Sequence, residues 1–202
     1  MNEGEKNEIL LKLYLCDLKR KKHKTTLFNE INFLGIGQNQ FKVPDKKIDF
    51  ESLKSEDDIK DLCKKLNVEK SASDYKSDIN INGTNYSIKY LDAAPPALLN
   101  HTTRIGFIRV ADLLEQNIND LDNIISNYWN LRISKTIRED CTNSDINSPF
   151  RENKEILRSS LEYFFFSGTG AKDSKIKADK FFKFSEFNNQ KTWQILDKSK
   201  SI

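Results

Sequence analysis

The chain has 202 residues, 37% of them apolar and 31% charged, with a formal net charge of +3. That length supports one domain with a real core, and no apolar run approaches the ~20 residues that would span a bilayer. The charge permits nucleic-acid binding without arguing for it, while Cys16, Cys63 and Cys141 form no CxxC and complete no zinc set with His23 and His101.

The first residues, Met1 to Glu5, are acidic and lack a signal-peptide pattern, so a cytoplasmic protein with reduced thiols is expected. Glu5 to Lys19 is predicted as a helix, with Ile9, Leu10, Leu13, Tyr14 and Leu18 recurring at helical spacing. It runs into a basic segment, Arg20 to Lys24, whose ordinary reading is a solvated helix end favoured by the helix dipole. Residues 27–50 suggest short strands, with turns at Gly35-Ile36-Gly37 and Pro44-Asp45. Ser55 to Leu66 is a second helix, with Ser55 as N-cap and three acids in its first turn. Asp78 to Tyr90 is a hairpin, followed by a loop at Ala93-Ala94-Pro95-Pro96 and a short helix. Ile108–Glu115 is ambiguous, and Leu121–Arg138 is an amphipathic helix. An aromatic strand is expected over Leu161–Phe166, a loop at Ser167 to Gly170, and a second aromatic segment over Phe181–Phe187. Helices mixed with short strands indicate α/β or α+β.

The hairpin carries the chemistry. Asn82-Gly83 between alternating runs is the strongest local signal for a two-residue turn. With those two residues as the loop, Ile81 faces Thr84, Asn80 faces Asn85, Ile79 faces Tyr86 and Asp78 faces Ser87. One face then carries Ile79, Ile81, Thr84, Tyr86 and Ile88, and the other Asp78, Asn80, Asn85, Ser87 and Lys89. The plain reading of the second face is a solvated polar surface. The sharper reading is a metal-phosphodiester site, with Asp78 as a Mg²⁺ ligand and Lys89 stabilising the charge that develops on phosphate or positioning the attacking water.

The spacing is that of the PD-(D/E)xK nuclease core, in which an acid on one strand precedes acid-x-Lys on the next. This chain departs from it at Ser87-Ile88-Lys89, where serine stands in place of the second acid, and at Lys76-Ser77-Asp78, where Pro-Asp is often found.

The longer run from Tyr86 through Lys89, Pro95-Pro96 and Leu98-Leu99-Asn100 to Thr102 or Thr103 resembles the central motif of HpaII-type restriction endonucleases. So do Gly4 to Glu8 before the first helix and Lys76 to Ile79 before the Ser-Ile-Lys strand. The resemblance covers residues 4–20 and 76–108. It implies a restriction-endonuclease-like central mixed sheet flanked by helices and Mg²⁺-dependent hydrolysis of double-stranded DNA at a short specific sequence. It also implies a companion DNA methyltransferase, and homodimers are common among enzymes of this core. It divides the chain into a nuclease core over 1–160 and an aromatic-rich extension of the same domain over 161–202. Because family members are longer, a short relative or a truncated chain is expected.

Under that resemblance Glu8 becomes the candidate for the missing metal carboxylate beside Asp78, since related nucleases bring a glutamate from the first helix. Its plain alternative is an i,i+4 surface pair with Lys12, a matter of a few tenths of a kcal/mol. Asp92 is a weaker candidate. Asn100, Thr103 and Arg104 have the chemistry to read bases and phosphates, and equally that of an ordinary helix start. His101, the basic side of the 121–138 helix (Arg132, Lys135, Arg138), the Phe-rich segments and the loop Lys172 to Lys177 have solvated or core roles as their default. Two other functions stay open: a DNA-binding module of this fold without catalysis, which Ser87 favours, and a structural protein whose hairpin is merely a polar edge.

Overall fold

A computed structural model describes residues 1–91 and 102–198. Residues 92–101, with Asp92, Asn100 and His101, lie outside the described residues. The described residues divide into two compact units, one drawn from Met1–Pro96 with Ser174–Ser201 and the other from Ala97–Asp173.

The first unit opens with α1 (Glu3–Arg20), which starts two residues before the sequence expectation because Asn2 caps it. The Asn2 side chain accepts from the Glu5 amide at 2.9 Å while the Glu5 carboxylate reaches back to the Asn2 amide, a reciprocal capping box. The expected apolar stripe understates how far this helix is buried. Leu11, Leu13 and Leu15 are 0% exposed, and two charged residues, Lys12 and Asp17, are buried with them. A helix covered on nearly every side is a core element, and any charge it carries inward needs a partner.

Two short strands follow, β1 (Leu34–Ile36) and β2 (Asn39–Gln40), turned at Gly37 with φ +57°. Helix α2 (Glu56–Leu66) is capped by Ser55 with Asp58 and ends on Asn67 in the left-handed conformation. Then come β3 (Ile79–Ile81) and β4 (Thr84–Tyr90). Asn82 and Gly83 both have positive φ, +51° and +87°, which matches the twist that a two-residue hairpin requires. The register is Ile79 with Tyr86, Asn80 with Asn85 and Ile81 with Thr84. The Asn82 side chain also fixes the bend, its amide oxygen accepting from the backbone of Asn32 and Phe33 at 2.8 and 3.0 Å.

The chain returns to the sheet as β5 (Lys180–Phe184), parallel to β4, and closes with β6 (Gln194–Asp197), antiparallel to β5. The result is a mixed six-stranded sheet in the order β2-β1-β3-β4-β5-β6, with β4 and β5 at its interior. Its core face carries Ile79, Ile81, Tyr86, Ile88, Phe182 and Phe184, all buried with the apolar residues of α1 and with Trp193.

The second unit is helical: α3 (Arg104–Leu113), α4 (Ile118–Ile133), α5 (Pro149–Glu152) and α6 (Lys154–Glu162). The aromatic strand expected over Leu161–Phe166 does not form. That segment ends α6 and continues as a π-helical turn over Tyr163–Ser167. The apolar run Tyr163-Phe164-Phe165-Phe166 has no period, so it suits a buried helix end as well as a strand. Here Tyr163 and Phe164 pack with Val110 of α3. Among the described residues no helix is long and apolar enough to cross a membrane.

Candidate functional site

Asp78 sits at the entrance to β3, where its amide donates to the Tyr86 carbonyl at 2.8 Å. Its carboxylate turns toward β4. Oδ2 accepts from the Ile88 amide at 2.7 Å and the Ser87 hydroxyl at 3.2 Å, and Oδ1 accepts from the Ser71 hydroxyl at 2.8 Å. All three donors are neutral, so Asp78 is held in place while its charge is left without a bonded cation. Ser87, buried at 3% exposure, therefore steadies the aspartate through its hydroxyl.

Lys89 follows two residues along β4, on the same side as Ser87. Its ammonium lies over the Phe181 ring of β5, 5.7 Å from the centroid. Glu8 reaches the site from α1. Burial pushes its carboxyl above the ordinary glutamate range, Lys12 opposes that rise, Asp78 adds to it as a like charge, and Lys89 lowers it again. Glu8 is thus within electrostatic reach of both hairpin residues. It is also paired with Lys12, whose ammonium bonds Glu8 Oε1 at 2.7 Å and the Glu69 carbonyl at 3.1 Å. That pair is no surface pair, because Lys12 is 0% exposed. The expected pair with Lys12 forms, but inside the fold and not on its surface.

Two further lysines border the cluster. Lys70 pairs with Glu5, and that hydrogen bond raises its ammonium above the usual lysine range. Lys76 is half-buried, and burial together with the Lys89 charge lowers it, against the pull of Asp78. Its backbone is pinned by the Ser174 hydroxyl at 2.8 Å and the Ile176 carbonyl at 3.0 Å.

Thr103 precedes α3 and makes no side-chain cap bond, while Arg104 pairs with Asp122 of α4; both belong to the second unit. Asn100 lies outside the described residues. A groove of about 590 Å³ between α1 and α2 has an apolar floor of Ile9, Ile59, Cys63 and Val68, and neither Asp78 nor Lys89 lines it.

Among the described residues no three of His, Cys, Asp or Glu gather as a metal-binding group. What the cluster offers is two carboxylates, Asp78 and Glu8, with hydroxyl and backbone oxygens nearby. That donor set is too sparse for Zn²⁺ or Ca²⁺ and fits Mg²⁺, which takes one or two carboxylates and keeps several waters.

Sequence reasoning missed Ser71, Lys76 and the burial of Lys12. Ser71 stands in Ser-Ala-Ser with no pattern around it. The Glu8–Lys12 spacing is that of any solvated helix pair, and only the packing of α1 distinguishes it.

No protein-family model, curated protein or solved structure matches this chain.

Proposed function

We propose that the protein is a Mg²⁺-dependent endonuclease of the restriction type, cutting double-stranded DNA through Asp78, Glu8 and Lys89. One observation carries the reading: groups from three separate segments, Glu8 of α1, Asp78 before β3 and Lys89 of β4, interact electrostatically in one place. A solvated polar face has no need of a largely covered glutamate from another element.

Asp78 and Glu8 would hold the ion. When bound, Mg²⁺ supplies Lewis-acid activation of water and neutralises phosphate charge. The protein's own groups do the rest. Ser71, Ser87 and the Ile88 amide fix the Asp78 carboxylate. Lys12 keeps Glu8 oriented and compensates its charge. Lys89 presents an ammonium to the phosphoryl oxygens, whose negative charge grows as the water oxygen bonds to phosphorus. The phosphorus–O3′ bond breaks, O3′ takes a proton, and the products are 5′-phosphate and 3′-hydroxyl ends. The wider reading, with a companion methyltransferase and a specific recognition sequence, follows from the motif resemblance.

The test is nicking of supercoiled plasmid with Mg²⁺. Wild type should nick, and Asp78→Ala should lose at least about a hundredfold in rate, the order expected for loss of one essential charge-stabilising group. Equal nicking by both would remove this site from the reaction.

A second reading has its own support. Ser87 replaces the usual acid, which leaves Asp78 and Glu8 as the carboxylates on offer. A DNA-binding module without catalysis would keep salt-dependent affinity for duplex DNA and show no Mg²⁺-dependent nicking.

A further inference from the structure

The sheet interior contains an arrangement that folding alone does not call for. Lys89 of β4 and Lys183 of β5 are register partners, so their side chains leave the same face from adjacent strands. Neighbouring strands are about 4.8 Å apart, and like charges placed side by side are unfavourable. Lysine often guards sheet edges against aggregation, but β4 and β5 are not edge strands. On the other flank of Lys183 stands neutral Gln194. The same strand shows the usual alternative. Lys180, three residues earlier, faces Asp197 and pairs with it at 2.8 Å.

No carboxylate forms an ion pair with either lysine, and Glu8 acts on Lys89 only at a distance. The carboxylates of the neighbouring cluster are committed, Glu8 to Lys12 and Glu5 to Lys70. Asp78 is bonded to Ser71, Ser87 and the Ile88 amide. Among the described residues neither Lys89 nor Lys183 is paired with a carboxylate. Lys76 adds a third ammonium, one that feels the charge of Lys89. Two lysines that leave one face from adjacent strands, neither ion-paired to a carboxylate among the described residues, form a site for an external anion.

We propose that Lys89 and Lys183 together grip a phosphate group of double-stranded DNA, with Lys183 as a phosphate-contacting residue. The identity of the anion rests on the nuclease reading above; the two-lysine pair does not. A free phosphate shares the chemistry and is the other source to distinguish.

The experiment measures affinity for a duplex of arbitrary sequence in EDTA, as log K against log salt, for wild type, Lys183→Met and Lys180→Met. The Lys183 variant should lower the slope by about one, as loss of one phosphate contact does, and Lys180→Met should leave it unchanged. Thermal melting in phosphate-free buffer should show Lys183→Met at least as stable as wild type, because a repulsion is gone. An unchanged slope, or a lowered melting temperature, overturns the proposal. If wild type binds no duplex, inorganic phosphate becomes the probe. Stabilisation of wild type but not of Lys183→Met by phosphate supports the pair and names free phosphate as its ligand, and no differential effect overturns it. Plasmid nicking separates the two readings. A wild type that binds with the expected slope change and never nicks keeps the pair and loses the nuclease. A wild type that nicks while Lys183→Met binds with an unchanged slope does the reverse.

Discussion

Helix α1 carries two carboxylates inward, and they are treated in opposite ways. Asp17, 1% exposed, accepts from Arg20 at 3.0 Å, from Lys21 at 2.8 Å and from the Ile48 amide at 3.3 Å. Burial alone would raise its carboxyl, but those bonds outweigh burial and hold it below the ordinary aspartate range. Glu8, nine residues earlier, has one bonded cation and a second carboxylate for a neighbour, and burial holds it above the ordinary range. The same fold satisfies Asp17 with three donors and Glu8 with one bonded cation. Perturbed titratable groups gather at functional sites more often than chance allows. On the proposed function, the contrast separates the two ends of one helix into a structural anchor and a metal-holding group.

The largest expected effect tests the Lys12–Glu8 pair. Lys12→Met fills similar space and removes the cation, leaving a buried carboxylate uncompensated, at a cost of about 3 kcal/mol in denaturant unfolding. Asp17→Asn should come next, at about 2 kcal/mol, because charge-assisted bonds from Arg20 and Lys21 weaken together. It should leave nicking intact, whereas Glu8→Gln should abolish it. Equal effects of the two substitutions on nicking would erase the distinction drawn here.

The two acids also predict opposite limbs of the stability–pH curve. Asp17 has a lowered folded pKa, so its contribution is present above the ordinary value of 3.8 and is lost as pH falls through the folded one. Glu8 has a raised folded pKa, so its contribution is present below the ordinary value of 4.5 and is lost as pH rises through the folded one. Asp17→Asn should flatten the acid limb, and Glu8→Gln should flatten the decline above the ordinary glutamate range. Unfolding free energies measured across that range in both variants check the signs. Millimolar Mg²⁺ should raise the melting temperature of wild type and not of Glu8→Gln, since a ligand stabilises only the state that binds it.

The smallest effect belongs to Arg104. Its pair with Asp122 is exposed, so Arg104→Ala should change stability by less than about 1 kcal/mol. A clear loss of DNA affinity in that variant, with stability unchanged, would return Arg104 to the candidate interface. No loss would confine it to the α3–α4 contact.

Local signals were legible wherever one short segment contains both the cause and the effect. Asn82-Gly83 dictates its own turn, and the turn dictates the register of Ile79, Asn80 and Ile81 against β4. Ser55 with Asp58 starts α2 by the same logic. The aromatic run at 163–166 was misread because four consecutive apolar residues carry no period, and the contact with Val110 selects a helical turn. The candidate site divides along the same line. Asp78 and Lys89 share a hairpin, so their proximity is written in eleven or so residues of alternation. That Glu8 joins them, that Lys12 is buried rather than solvated, and that Lys183 stands beside Lys89 depend on contacts between distant segments. Sequence by itself determined the helices, the hairpin and its two faces, because hydrogen bonds and side-chain periods within a segment fix them. Tertiary structure alone decided which charges are buried and which of them meet, because burial and Coulomb interaction depend on distance in space and not along the chain.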